Sequence, residues 1–498
     1  MADEKKKDVS EQTQESNERQ KPTLMYSLIT LALIVILIAG GLVYFGAPIQ
    51  TLFFLSWLII IPACMKLGYP YKELEDVAFD FMRRAMQPII IILAVGALVG
   101  TWIAAGTVPG LIYIGLGAIS PAYFLLTTLI LCSLTSLATG TSWGTMGTAG
   151  LAMMGVGAGL GVPVGMTAGA VISGAYFGDK MSPLSDSTNL AAAVSEGELI
   201  THVKHMFYTV GPAYVISAIL FTVVGLRFAG EALDVAEIEL TMTTLADNYT
   251  INIITFIPAI VLIALLAMQK PPVTSILVGA VVGGIVAVML QGYALSEVLG
   301  IFYSGHTADT GVEAVDSLLT RGGVVGMWGT VGIMLFAFGL AGMMHHAGMM
   351  AALLDPLVKK VRTVGQLTLA TMAVSYVSNG IGASMSFASV MTGTLMTPLY
   401  KEWNLAPANL SRIIEACGTL GAPLIPWNSN AIFAMSMLGA TPFQYIPWAF
   451  LNYITPIVAL IYGFTGFTVY PTDKSIPIGP PASISEGVGE GSGEKPAT

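Results

Sequence analysis

The fold of this chain turns on Gly178-Asp179-Lys180-Met181-Ser182-Pro183-Leu184-Ser185-Asp186-Ser187-Thr188-Asn189. The stretch closes a run, Ala85 to Gly178, that contains no Asp, Glu, Lys or Arg. One helix needs only ~20 apolar residues to cross the ~30 Å hydrocarbon core of a bilayer, so this run holds several membrane segments joined by short turns. Charge near membrane depth is costly, and acids found there face a cavity or a partner and mark ion or proton pathways. Pro183 interrupts the helix and frees carbonyls to join the hydroxyls as oxygen ligands. The plainer alternative makes Asp179-Lys180 a loop pair at a helix end and Ser185-Asp186-Ser187-Thr188 an N-cap, with Lys180 neutralising one acid.

Composition agrees with a membrane solvent. Of 498 residues, 54% are hydrophobic and only 10% are charged, whereas soluble domains carry about 25% charged residues. Charge-free runs recur at Gly322–Leu354, Thr363–Tyr400 and Ala416–Thr472. The net charge of -9 resides largely in the tails and in Glu231–Asp247, and no basic patch points to nucleic acid. Cys64, Cys132 and Cys417 have neither a disulfide pattern nor a metal-binding spacing and are read as core residues. Leu24–Phe45 follows a long polar tail and has the length of a span, so it is read as a retained first helix rather than a secretory signal.

The expected fold is an all-α polytopic membrane protein with inverted-topology repeats of transmembrane helices and discontinuous helices or re-entrant hairpins. About 11 to 14 embedded segments are expected, the short Gly-rich ones being able to re-enter rather than span. The division is a cytoplasmic polar tail (1–23), a first membrane repeat (24–227), an external loop (228–250), a second, inverted membrane repeat (251–467) and a disordered cytoplasmic tail (468–498). Three landmarks support the duplication. Gly96–Gly106 aligns with Phe338–Gly348, Thr139-Gly140 with Asn379-Gly380, and Pro183-Leu184 with Pro423-Leu424.

Basic residues favour the cytoplasmic side in short loops. Lys5, Lys6, Lys7, Arg19 and Lys21, then Lys66, Lys72, Arg83 and Arg84, place the N-terminus and the loop after the second span inside. Pro88–Ala105 then runs outward. Its counterpart Trp328–His345 precedes Lys359, Lys360 and Arg362 and runs inward, so the halves are inverted. Such inversion around broken helices is a recurring build of secondary transporters. The expected location is the plasma membrane, multi-pass, with both termini cytoplasmic.

Candidate cation- or proton-binding groups are Asp179, Asp186, Ser182, Ser185, Thr188 and Asn189. The second half mirrors them with Gly421-Ala422-Pro423-Leu424-Ile425-Pro426-Trp427-Asn428-Ser429-Asn430, which offers Asn428, Ser429 and Asn430 but no charge. Glu415 precedes this stretch, and Arg412, three residues earlier on the same expected helix, is its plain structural partner. Thr141, Ser142 and Asn379 lie in matching Gly-rich segments that unwind readily and aim helix ends at an ion, or else pack closely. Gly140-Thr141-Ser142-Trp143-Gly144 also reads as a serine hydrolase elbow, a remote alternative lacking the strand and the base that motif needs. His345 and His346 are read as interfacial rather than as proton relays.

Three motifs together, Phe177–Asp186, Thr139–Thr148 and Gly421–Asn428, closely resemble the NhaC family of sodium/proton antiporters over roughly Leu24 to Phe467. The resemblance implies a non-enzymatic transporter that exports Na+ against H+ by alternating access, with the acids as coupling groups. A related activity in that family, malate and proton uptake against Na+ and lactate, is the alternative. Expected partners are Na+, H+ and the lipid bilayer, with small organic anions as alternative cargo, a second copy of the chain left open, and no nucleic acid. No cofactor or resident metal is expected.

Overall fold

The structure, a computed structural model, describes residues 19–229, 235–358 and 361–480. Parts of both tails, residues 230–234 of the linking loop, and Lys359 and Lys360 lie outside the described residues.

Backbone placed in hydrocarbon must satisfy its own N–H and C=O groups, so the apolar runs become helices. The first half contains α1 (Leu24–Phe45), α2 (Ile49–Lys66), α3 (Tyr71–Arg84), α4 (Met86–Ala104), α5 (Thr107–Ala118), α6 (Phe124–Thr139), α7 (Ser142–Thr145), α8 (Leu151–Gly159), α9 (Val164–Met181), α10 (Asp186–Val194) and α11 (Leu199–Gly225). The linker forms α12 (Val235–Asn248). The second half contains α13 (Ile257–Ala267), α14 (Pro272–Leu290), α15 (Leu295–Ser304), α16 (Glu313–Leu319), α17 (Gly323–Gly326), α18 (Trp328–His346), α19 (Met349–Val358), α20 (Val364–Gly382), α21 (Met385–Glu402), α22 (Pro407–Ile413), α23 (Ser429–Leu438), α24 (Pro442–Tyr445) and α25 (Phe450–Thr465). Among the described residues the only β pairings are two isolated bridges, His306 with Arg321 and Leu405 with Pro471.

Among the described residues, seven helices are long and apolar enough to cross a bilayer, or up to nine if two bent pairs each count as one span. The 11 to 14 expected segments include pieces that stop partway. α6 ends at Gly140 and α20 at Ala383, both in the left-handed region at φ 68° and 48°. Each is followed at once by a helix running back, α7–α8 and α21, so the chain forms two hairpins. α9 ends at Ser182, and α10 resumes after Ser185. The chain ahead of the second break is no single regular helix either, being α22, a π-helical turn Ile414–Thr419 and a 3-10 turn Ala422–Leu424.

Side-chain contacts define the two ends of the bundle. At one end Arg19 binds Glu73 through both guanidinium nitrogens (2.9 and 2.8 Å), and His346 Nε2 lies 2.6 Å from the same carboxylate. Lys401 pairs there with Glu196 at 2.8 Å. Residues 468–480, expected to be disordered with the rest of the tail, are instead tied down at this end. Asn404 Nδ2 donates to the carbonyls of Asp473 (2.8 Å) and Ile476 (2.7 Å), and Asn409 Nδ2 to that of Tyr470 (2.7 Å). At the opposite end Gln291 Nε2 donates to the carbonyls of Ala105 and Thr250.

The hairpins enter from opposite ends. The first lies against α5 at the Gln291 end, where Gly155 and Gly159 of α8 admit Ile112 and Leu116. The second starts at the Glu73 end, where Gly365 of α20 packs on Phe464 at the close of α25. The tip of the first meets the α9–α10 break, where a Cβ on Gly140 would stand 3.0 Å from Leu184 Cβ. The tip of the second is bonded to the break before α23, with the Ser429 N–H donating to the Ala383 carbonyl at 2.8 Å and Trp427 Nε1 to that of Gly380 at 2.5 Å. The two halves converge where these tips and breaks cross.

Candidate functional site

Asp179 occupies the last turn of α9 and is 3% exposed. Ser185, the N-cap of α10, donates its hydroxyl to Asp179 Oδ1, and the Ser187 hydroxyl lies 3.0 Å from that of Ser185. Ser142, at the first hairpin tip, lies near the same carboxylate, its buried hydroxyl without a hydrogen-bond partner of its own. The α10 N-terminus also faces it, adding the positive end of a helix dipole. Thr188 closes the break from behind, its hydroxyl donating to the freed carbonyls of Asp179 (3.2 Å) and Lys180 (3.0 Å).

Lys180, in the last turn of α9, and Glu415, in the π turn, are both fully buried and lie near enough for each charge to act on the other. Lys180 Nζ, both Glu415 oxygens and Thr419 Oγ1 lack a hydrogen-bond partner. The extra residue of a π turn re-aims a side chain out of α-helical register, a device common at functional sites. Arg412 does not fill the partner role suggested by its spacing. Its Nη1 donates to Thr468 Oγ1 at 2.7 Å, and no ion pair joins it to Glu415 among the described residues.

An amide chain forms the rest of the junction. Asn379 Nδ2 donates to the carbonyls of Cys417 (3.0 Å) and Gly418 (2.7 Å) in the π turn. Asn428 Nδ2 donates to Asn379 Oδ1 (3.0 Å), and Asn430 Nδ2 to Asn428 Oδ1 (3.0 Å). Asn430 Oδ1 then accepts from Trp143 Nε1 (2.8 Å) and the Tyr176 hydroxyl (2.9 Å), both from the first half. Tyr176 lies one turn before Asp179 on the same helix face. The network therefore runs from the second half into the acid site.

Not every candidate joins it. Asp186 and Asn189 are exposed, Asn189 Nδ2 donating to the carbonyls of Pro183 and Ser185. Thr141 caps α7 by accepting from Gly144 N, and Ser182 bonds the Leu137 carbonyl. Ser429 is buried, and its N–H ties the second tip in place. Tyr176 and Trp143 were missed by the sequence reading, as was Ser187. For Tyr176 the i, i+3 spacing to Asp179 was the available signal.

Asp179, Lys180 and Glu415 are all buried at this junction, with Arg412 acting on Lys180 and Asp186 on Asp179. Burial makes an uncompensated charge expensive, so a carboxylate held here, as Asp179 is by the Ser185 hydroxyl, suits a proton or a cation as its occupant. Such an acid cluster, set where broken helices of two repeats cross, defines a secondary transporter of the multi-pass α-helical type. Comparison with known sequences makes the class specific. The Na+/H+ antiporter family profile matches residues 174–467. The chain is 41% identical over 454 residues to the malate-2H(+)/Na(+)-lactate antiporter of Bacillus subtilis, covering 91% of this chain and 97% of that one. It is 32% identical over 451 residues to the Na(+)/H(+) antiporter NhaC of Alkalihalophilus pseudofirmus (90% and 97%). It is 33% identical over 459 residues to the arginine/ornithine antiporter ArcD of Halobacterium salinarum (91% and 94%). The chain belongs to the Na+/H+ antiporter family, also called NhaC.

Proposed function

We propose that the protein exports Na+ in exchange for H+ by alternating access around Asp179. The observation that carries this reading is the buried Asp179 carboxylate, which accepts from the Ser185 hydroxyl at the break between α9 and α10. Deprotonated Asp179 takes Na+ with the hydroxyl oxygens of Ser142 and Ser185. On the other side of the membrane a proton replaces the cation. Either occupant neutralises Asp179, and the empty, ionised site is held back because moving an uncompensated buried charge costs several kcal/mol. The Glu73 end, richer in Lys and Arg, is the cytoplasmic end in this reading, and both termini of a plasma-membrane protein belong on that side.

The test is 22Na+ uptake into proteoliposomes driven by a preset pH gradient. The unsubstituted protein is expected to couple the two fluxes and Asp179→Asn to lose both the uptake and the sodium-induced collapse of the gradient. Uptake at the normal rate by Asp179→Asn would overturn the assignment.

A second reading has a specific observation behind it. Lys180 is a fully buried ammonium without a hydrogen-bond partner, which suits the carboxylate of an organic anion, and the Bacillus subtilis relative is named for malate and lactate. If Na+ flux appears only when malate or lactate is supplied, organic anion exchange is the activity and simple Na+/H+ exchange is not.

A further inference from the structure

Thr468, the third residue beyond α25, holds a β-branched side chain in the left-handed region, at φ 56°. A threonine adopts that conformation only where its surroundings impose it, and such strain gathers at sites that switch. The surroundings here come from both halves of the molecule. His205 of α11, which is buried, has its Nε2 3.0 Å from the Thr468 carbonyl oxygen. Arg412 of α22, 2% exposed, donates from Nη1 to Thr468 Oγ1 at 2.7 Å and reaches the same carbonyl oxygen at 3.4 Å.

Closing this junction is costly. The Arg412 guanidinium is buried against neutral oxygens, no carboxylate pairs with it among the described residues, and its Nε has no hydrogen-bond partner. Water would relieve the guanidinium, and release would relieve the Thr468 backbone. What holds the junction shut lies farther along the same segment. Asn404, itself left-handed at φ 54°, donates from Nδ2 to the carbonyls of Asp473 (2.8 Å) and Ile476 (2.7 Å) and accepts from the Asp473 N–H (2.9 Å). Asn409 donates to the Tyr470 carbonyl (2.7 Å) and accepts from the Tyr470 N–H (3.2 Å). The Lys401–Glu196 pair also joins the halves at this end, but it is exposed and adds little.

From this balance we propose that residues 468–479 are a latch across the two halves at the Glu73 end, freeing Arg412 and His205 to water when that end opens and re-forming when it closes. The proposal rests on the alternating-access reading above, which needs each end to open in turn. The latch grips α22 just ahead of the π turn that carries Glu415 and Cys417, so opening it loosens the chain that leads to the buried acid.

Cys417, fully buried in that turn, reports the opening. With Cys64 and Cys132 replaced by Ala it is the sole thiol of the chain. Its labelling by a membrane-impermeant maleimide from the Glu73 end is measured beside deuterium exchange of the latch amides, on the whole chain in vesicles. Asn404→Gly keeps a left-handed backbone and removes the three side-chain bonds of Asn404. It is expected to speed both labelling and exchange roughly tenfold or more, because each lost bond shifts the opening equilibrium several-fold. Thr468→Asn accepts the left-handed region and keeps a side-chain oxygen for Arg412, so it is expected to slow both. Faster amide exchange in Asn404→Gly with unchanged Cys417 labelling would overturn the proposal and make the segment a tied-down tail. Unchanged amide exchange in Asn404→Gly, or faster labelling in Thr468→Asn, would overturn it too. The expected changes in a chain that shows no proton-driven 22Na+ uptake would instead sink the antiporter reading and leave the latch standing.

Discussion

The two breaks at the centre of the molecule share a geometric plan and differ in chemistry. Where α9 gives way to α10, Asp179 and Lys180 are buried among hydroxyls, and charge can be gained or lost. Where the π turn gives way to α23, Asn379, Asn428 and Asn430 bond to one another and to carbonyls. Neutral amides that already satisfy each other have no reason to change state. The difference is the one the proposed function uses, with the first break as the place of a changing occupant and the second as a brace bonded to it through Trp143 and Tyr176. Glu415 is the exception, an acid of the second half turned into the site of the first.

The sharpest way to break this contrast is to neutralise the first site. Asp179→Asn should abolish exchange outright, read as 22Na+ flux, while the protein still inserts. Next in size is the lysine. Lys180→Met removes the positive charge that acts on buried Glu415 and should lower stability by less than the ~3–5 kcal/mol of a broken buried ion pair, because Glu415 can take up a proton instead, measured by unfolding in detergent. Lys180→Met combined with Glu415→Gln should recover most of that loss, and an additive double variant would show that the two do not interact.

A smaller effect is expected at the brace. Asn430→Ala strands the Trp143 and Tyr176 donors and should cost about 1–3 kcal/mol for each group left unsatisfied, with exchange slowed rather than abolished. Complete loss of exchange with normal stability would make the second break a binding site and erase the distinction. The smallest effect belongs to Asp186, which is exposed. Asp186→Asn should alter stability by no more than about 0.5 kcal/mol and leave transport close to normal. Loss of transport in that variant would move the site toward the α10 start.

Much of this was legible without coordinates. Charge-free runs longer than a span announced the bilayer, and the Gly140 and Pro183 neighbourhoods with their second-half echoes announced helix breaks, because glycine and proline act locally on the backbone. The spacing of Arg412 and Glu415 misled for a related reason. An i, i+3 pair meets only on a regular α-helix, and the π turn beginning at Ile414 alters the register between them. Asp179 and Asp186 looked equivalent in the sequence, yet one is buried and the other exposed.

Composition and local residue chemistry, then, determined the membrane environment, the helical class, the duplication and the presence of acids beside breaks, since each depends on residues close together in the chain. Which acid is buried, which cation faces it, and that Asn430 reaches Tyr176 from the other half were decided by tertiary structure alone. These are contacts between residues far apart in sequence, and burial exists only once the helices have packed.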